Sequence, residues 1–137
     1  MEDKTFAQKV REKYGDSVEE FALRIGVRAV TITSWESGVT PQPQVLALLS
    51  YANNYHMGMK SDASEEHQNM SVPQLVKCLM RLYNDTEAGL AIRLGLNKAQ
   101  IMRLLGRSNV NKSTKRLLLE AATHHERFMA YPKSFSK

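Results

Sequence analysis

Sliding the chain along itself by 69 residues brings its apolar positions into register without a gap. Phe6 falls on Leu75, Ala7 on Val76, Val10 on Leu79, Phe21 on Leu90, Ala22 on Ala91 and Ile25 on Leu94. The match runs on through Val27 with Leu96, Ile32 with Ile101 and Trp35 with Leu104. Helical periodicity alone makes two amphipathic segments coincide in this way. It does not generate the shared Ala-x-Arg-x-Gly of Ala22–Gly26 and Ala91–Gly95, or Tyr14 opposite Tyr83. A constant offset of this kind marks one supersecondary unit used twice. The chain is therefore expected to hold two small units, residues 1–55 and 72–137. Between them, residues 56–71 (HMGMKSDASEEHQNMS) are polar, lack a sustained helical stripe and read as a linker. If flexible, that stretch spans about 20–24 Å and would let the units be placed independently.

The periodicity inside each unit is that of helices, and nothing reads as a strand, so the expected fold class is all-α. Apolar spacing predicts a first helix over Lys4–Lys13, stopped at Tyr14-Gly15. Ser17-Val-Glu-Glu20 has the form of a capping box and opens a second helix that ends at Gly26. A third follows to Gly38, and Pro43 can start a fourth whose core face is Val45, Leu46, Leu48, Leu49 and Ala52. In the second unit helices are predicted over Val72–Tyr83, from Asp85 or Thr86 to Leu94, over Asn97–Gly106, and in one long run over Lys112–Met129.

Charge is distributed unevenly along the chain. Residues 1–60 carry seven Lys or Arg and seven Asp or Glu, residues 61–70 carry three acids, and residues 71–137 carry twelve bases against four acids. The net charge of +5 thus comes from the second half, a balance that suits an anionic partner such as nucleic acid. The single cysteine, Cys78, excludes an intrachain disulfide framework and fits a reducing compartment. No Cys/His cluster has metal-ligand spacing, and the adjacent His124-His125 do not share a helical face, so they are taken as a solvated helix end. No metal and no cofactor is expected. A polar, acidic start and the absence of a long apolar run point to a soluble, cytoplasmic protein with no membrane partner. No P-loop, HExxH or nucleophile-base pattern is present, so an enzyme is not expected.

Ser17-Val-Glu-Glu-Phe-Ala-Leu-Arg-Ile-Gly-Val27, followed by Thr31-Ile-Thr-Ser-Trp-Glu-Ser-Gly38 and by Pro41–Leu49, resembles the lambda-repressor-like, or Cro/Xre-type, helix-turn-helix family. The resemblance covers about residues 4–55 and includes the aromatic-Glu-x-Gly ending of the recognition helix. It implies two tandem helix-turn-helix units, the second diverged, whose recognition helices at about 28–37 and 97–106 enter the major groove of double-stranded DNA. Base-facing positions carried over from the family are Ala29, Val30 and Ser34, with Arg28 and Thr33 nearby. In the second unit they are Lys98, Ala99 and Arg103, with Asn97 and Gln100 beside them. An arginine that pairs with guanine contributes about 1–3 kcal/mol of discrimination, so the second unit is the stronger reader. Phosphate anchors are expected at helix N-termini and after the recognition helix: Ser17, Gln42 and Gln44, then Thr86, Arg107, Asn111, Lys112, Ser113 and Lys115. The family's ion pair between the first helix and the recognition helix falls on Arg11 and Glu36, and the shifted positions, Met80 and Leu105, are both apolar. Arg28 departs from the Ser or Thr that usually caps the recognition helix.

The function implied is a sequence-specific transcription regulator, a repressor, active in the cytoplasm and on the nucleoid. The competing reading is an antitoxin-like module in which one unit binds DNA and the other, or the tail, binds a protein partner. Trp35 is expected in the core, three residues after Ile32 on one face. Phe128, Met129, Tyr131 and Phe135 make an unusually apolar tail that packs either on its own domain or on a second subunit, with a homodimer through the last helix and tail the favoured reading.

Overall fold

Side-chain acceptors placed just ahead of apolar stripes set most of the helix starts in the computed structural model, which describes residues 4–106 and 112–128. Thr5 accepts from the Gln8 N–H and opens α1 (Phe6–Tyr14). Ser17 and Glu20 bond reciprocally at the head of α2 (Val18–Ile25), satisfying two backbone donors that the helix itself cannot. Arg28 precedes α3 (Ala29–Glu36) without a side-chain cap, and α4 (Pro43–Asn54) starts on its proline. After the short α5 (Glu65–Gln68), Ser71 and Gln74 box α6 (Val72–Tyr83), and Thr86 caps α7 (Glu87–Leu94). Asn97 and Gln100 bond each other's backbone N–H ahead of α8 (Lys98–Gly106). The described chain ends with α9 (Lys112–Thr123) and a 3-10 turn, His125–Arg127. The fold is all-α, with no strand among the described residues.

Both ends of α7 and α9 lie 69 residues beyond those of α2 and α4. The side chains that brace these helices keep the same offset. Tyr14 donates to the Ala52 carbonyl at 2.6 Å, and Tyr83 to Ala121 at 2.8 Å. His56 stacks on Tyr14, and His125 on Tyr83. Arg24 grips Asp16 with two bonds (2.8 and 3.0 Å) while its guanidinium lies over the Tyr14 ring; Arg93 does the same with Asp85 (2.7 and 3.3 Å) and Tyr83. Each tyrosine is thus a post between a helix end and a buried ion pair.

Phe21, Ile25, Ile32, Leu48 and Leu49 from the first four helices are fully buried, as are Leu75, Leu79, Leu90, Ile101, Leu117 and Leu118 from the last four. One continuous apolar core includes both sets. The join is made by α9, which packs on α6 and also on α4. At that seam Glu120, 2% exposed, accepts from the Tyr51 hydroxyl at 2.7 Å and from Arg116 Nε at 2.9 Å.

Several expectations give way here. Residues 56–71 do not leave the two halves free: Met57 and Ala63 are buried, and the Gly58, Met59 and Lys60 carbonyls accept from Arg116. Lys115 also donates to the Gln68 carbonyl. The last helix stops at Thr123 instead of Met129, because Tyr83 and Arg93 claim the carbonyls of Ala121, His125 and Phe128 and turn the chain back. His124 and His125 are accordingly not a solvated end; one bonds Asp62 and the other stacks on Tyr83. Phe128 packs on Tyr51 of the same chain at 5.2 Å between ring centroids. Most of α9 is buried, so the expected dimerisation through it has little free surface to use among the described residues. Met129, Tyr131 and Phe135 lie outside the described residues.

Candidate nucleic-acid interface

The α3 helix is held by one face and displayed by the other. Ile32 and Trp35 sit in the core, while Arg28, Val30 and Thr33 are exposed and Ala29 and Ser34 half-buried. The Thr33 hydroxyl donates to the Ala29 carbonyl and the Ser34 hydroxyl to Val30, which leaves their oxygens facing outward as acceptors. The surface offers methyl groups, two acceptors and one cation.

Arg11 ties this helix to α1. Its Nε lies 2.6 Å from Glu36 Oε2 and its Nη2 3.1 Å from Oε1, with Nη1 donating to the Asp16 carbonyl at 3.0 Å. The bond from Glu36 holds the Arg11 guanidinium protonated beyond its ordinary range. A bidentate pair of this kind fixes the tilt of α3 as well as its position. At the shifted positions Met80 and Leu105 pack against the core.

The α8 helix is mounted in the same way. Ile101 and Leu104 are buried, and Lys98, Ala99 and Arg103 are exposed on the opposite side. Asn97 is exposed and Gln100 half-buried, and their amide oxygens accept from each other's backbone N–H, so those oxygens cap the helix. Met102, half exposed between the two basic residues, adds an apolar contact that sequence reasoning missed. Its position one residue before Arg103 was the available signal.

The anchors fare unevenly. Ser17 and Thr86 are exposed at helix N-termini with their oxygens already capping, Gln42 is exposed and Gln44 half-buried. Lys115 is half-buried and bonded to residue 68. Ser113 is a correction: it is fully buried and out of reach of a phosphate, because the start of α9 lies against the turn at Gly26. Arg107 and Asn111 lie outside the described residues.

Lys112 belongs to the second half by sequence and to the first half by position. It lines a cleft of about 690 Å³ together with Arg28, Thr31, Trp35 and Gln42. The approach is close because residue 26 is glycine: with φ at +91°, a Cβ there would come within 3.1 Å of the Lys112 and Ser113 backbone. The head of α3 therefore gains a second cation from α9, which no local pattern in the sequence announces.

Asp62, Glu120 and His124 also converge, with ligating atoms within 4.8 Å of one another. Glu120 already accepts from Tyr51 and Arg116, and His124 Nε2 bonds Asp62 at 3.0 Å. Arg116 supplies the positive charge a cation would bring, so the cluster works as a hydrogen-bond network.

A helix-turn-helix family model matches residues 8–57, which begin within α1 and end just past α4. No curated protein and no solved structure matches the chain. The matched segment carries the capped α2, the left-handed glycine turn and the half-displayed α3 in order. Residues 8–57 are a helix-turn-helix domain of the Cro/Xre type, the domain of DNA-binding regulators.

Proposed function

We propose that the chain is a sequence-specific transcription regulator, a repressor, that inserts α3 and α8 in the major groove and silences by occupying its site in cytoplasmic DNA. The observation that carries this reading is the two-faced mounting of both helices. Arg28, Val30 and Thr33 on one, and Lys98, Ala99 and Arg103 on the other, stand exposed on helices locked from behind by Ile32 with Trp35 and Ile101 with Leu104. An α-helix displayed in this way fits the major groove, where each base pair presents a distinct donor and acceptor pattern. The α3 face suits thymine methyl groups, and the α8 face suits guanine through Arg103. Selection of duplexes from a random pool by the intact protein tests it: an enriched motif is expected, and Lys98→Ala with Arg103→Ala relaxes it. No enrichment, or specificity indifferent to both substitutions, overturns the reading.

Leu23 and Val39, exposed apolar residues on the rim of the Lys112 cleft, favour a second reading in which a protein partner seats there and competes with DNA for α3. Charged substitutions at both positions would abolish such competition and leave the selected DNA motif unchanged.

A further inference from the structure

The seam between α4 and α9 joins residues to their own counterparts. Tyr51 donates to Glu120, and the two are 69 residues apart, the same offset that relates the helices, the tyrosine posts and the Asp-Arg pairs. A twofold arrangement brings residues near its axis against their own equivalents. Contacts to either side correspond turn for turn, though not residue for residue. Gly26, at the first turn, lies against the start of α9, and Gly95, at the equivalent turn, lies against Ala47 of α4. Arg116, the counterpart of Ala47, reaches the Arg24 carbonyl beside the first turn. This is the pattern of an isologous dimer interface closed within one chain.

We infer that the chain is a covalent pseudo-dimer and that, resting on the DNA-binding reading above, a single copy binds a bipartite duplex site made of two unlike halves. A rotation of half a turn leaves the component along its axis unchanged, so equivalent faces of α3 and α8 do not oppose each other along it. Two heads related in this way can share one face of a duplex, as those of a two-chain regulator do. The halves of the site differ because the heads differ: Val30 and Thr33 on α3 stand where α8 carries Ala99 and Met102, and Ser34 where it carries Arg103. The seam itself is buried and hydrogen-bonded. Tyr51, Arg116, Leu117 and Glu120 are buried in it or beside it, and Arg127 bonds the Tyr51 hydroxyl from the far side at 2.6 Å.

The test uses the full chain with duplexes it selects from a random pool, read by native mass spectrometry and footprinting. One chain per duplex is expected, with two protected halves of unlike sequence about 10 base pairs apart centre to centre. Inserting about five base pairs between the halves places them on opposite faces, and affinity falls by about 100-fold or more as the second head disengages. Arg28→Ala relaxes selection in one half only, and Arg103→Ala in the other only. Two chains on a palindromic site, protection of a single half, or indifference to the insertion overturns the pseudo-dimer while leaving the DNA-binding reading intact. A pool with no enriched sequence defeats that reading itself, and a distinct result of this kind separates the two failures.

Discussion

Replacing Glu120 with glutamine removes one charge from the seam and keeps its shape. The carboxylate is almost wholly buried and bonds the Tyr51 hydroxyl and Arg116 Nε. The other N–H groups of Arg116 go to carbonyls of Arg24, Gly58, Met59 and Lys60, so in the variant a buried guanidinium faces neutral acceptors alone. Breaking a buried pair on one side costs about 3–5 kcal/mol. The glutamine carbonyl still accepts one bond, which brings the expected loss to about 2–4 kcal/mol. Urea unfolding measures it, followed by far-ultraviolet circular dichroism for helix and by fluorescence of Trp35, the single tryptophan, 85 residues away in sequence. With a slope of about 2 kcal/mol per molar urea, the midpoint should drop by about 1–2 M in both signals together. A Trp35 transition that stays in place while helicity falls in two steps would refute the seam as the device that makes both halves unfold as one.

Gly26→Ala should cost more than Gly15→Ala, although both glycines are left-handed. Alanine at Gly15 meets nothing within 4 Å, so the cost is about 1–2 kcal/mol of backbone strain. At Gly26 the new methyl also presses on the α9 backbone, adding about 1–3 kcal/mol, and thermal melts that rank the two equally would speak against the close approach. Arg24→Met strands the buried Asp16 carboxylate and should cost about 3–5 kcal/mol; adding Asp16→Leu should recover part of it, and a double variant no better than the single would contradict the pairing. Burial raises the hydroxyls of Tyr14, Tyr51 and Tyr83, the last to about 12. Because these groups hold their protons more tightly folded than unfolded, their contribution is complete below pH about 10 and is lost as pH rises toward about 12. Urea midpoints should fall over that window in step with phenolate absorbance, and a flat profile would count against it.

What was legible in the chain was mostly local. Ser17 with Glu20, the glycine at position 26 and the apolar spacing around Ile32 and Trp35 act over a few residues, so the sequence shows both the cause and the result. The bounds of α6 to α8 could be read for the same reason. The tyrosine posts were half visible: Tyr14 with Tyr83 and Arg24 with Arg93 lay in the repeat, but the Asp16 and Asp85 that complete them were not connected to it, because the partners meet across a turn. The segment 56–71 misled by its polarity. Its backbone carbonyls, which every residue carries whatever its side chain, are what Arg116 holds. Ser113 misled likewise, since a small polar residue at a helix start fits a phosphate and fits equally against a glycine turn.

The bond from Tyr51 to Glu120 is one that two identical subunits cannot make. On the axis of a true homodimer each residue faces its own copy, so the centre would hold hydroxyl against hydroxyl, or two buried carboxylates repelling each other. In the pseudo-dimer inferred above the two positions are free to differ, so one serves as the donor and the other as the acceptor. On that inference the same asymmetry would discourage like halves of separate chains from pairing, since first with first lacks an anion and second with second has one too many.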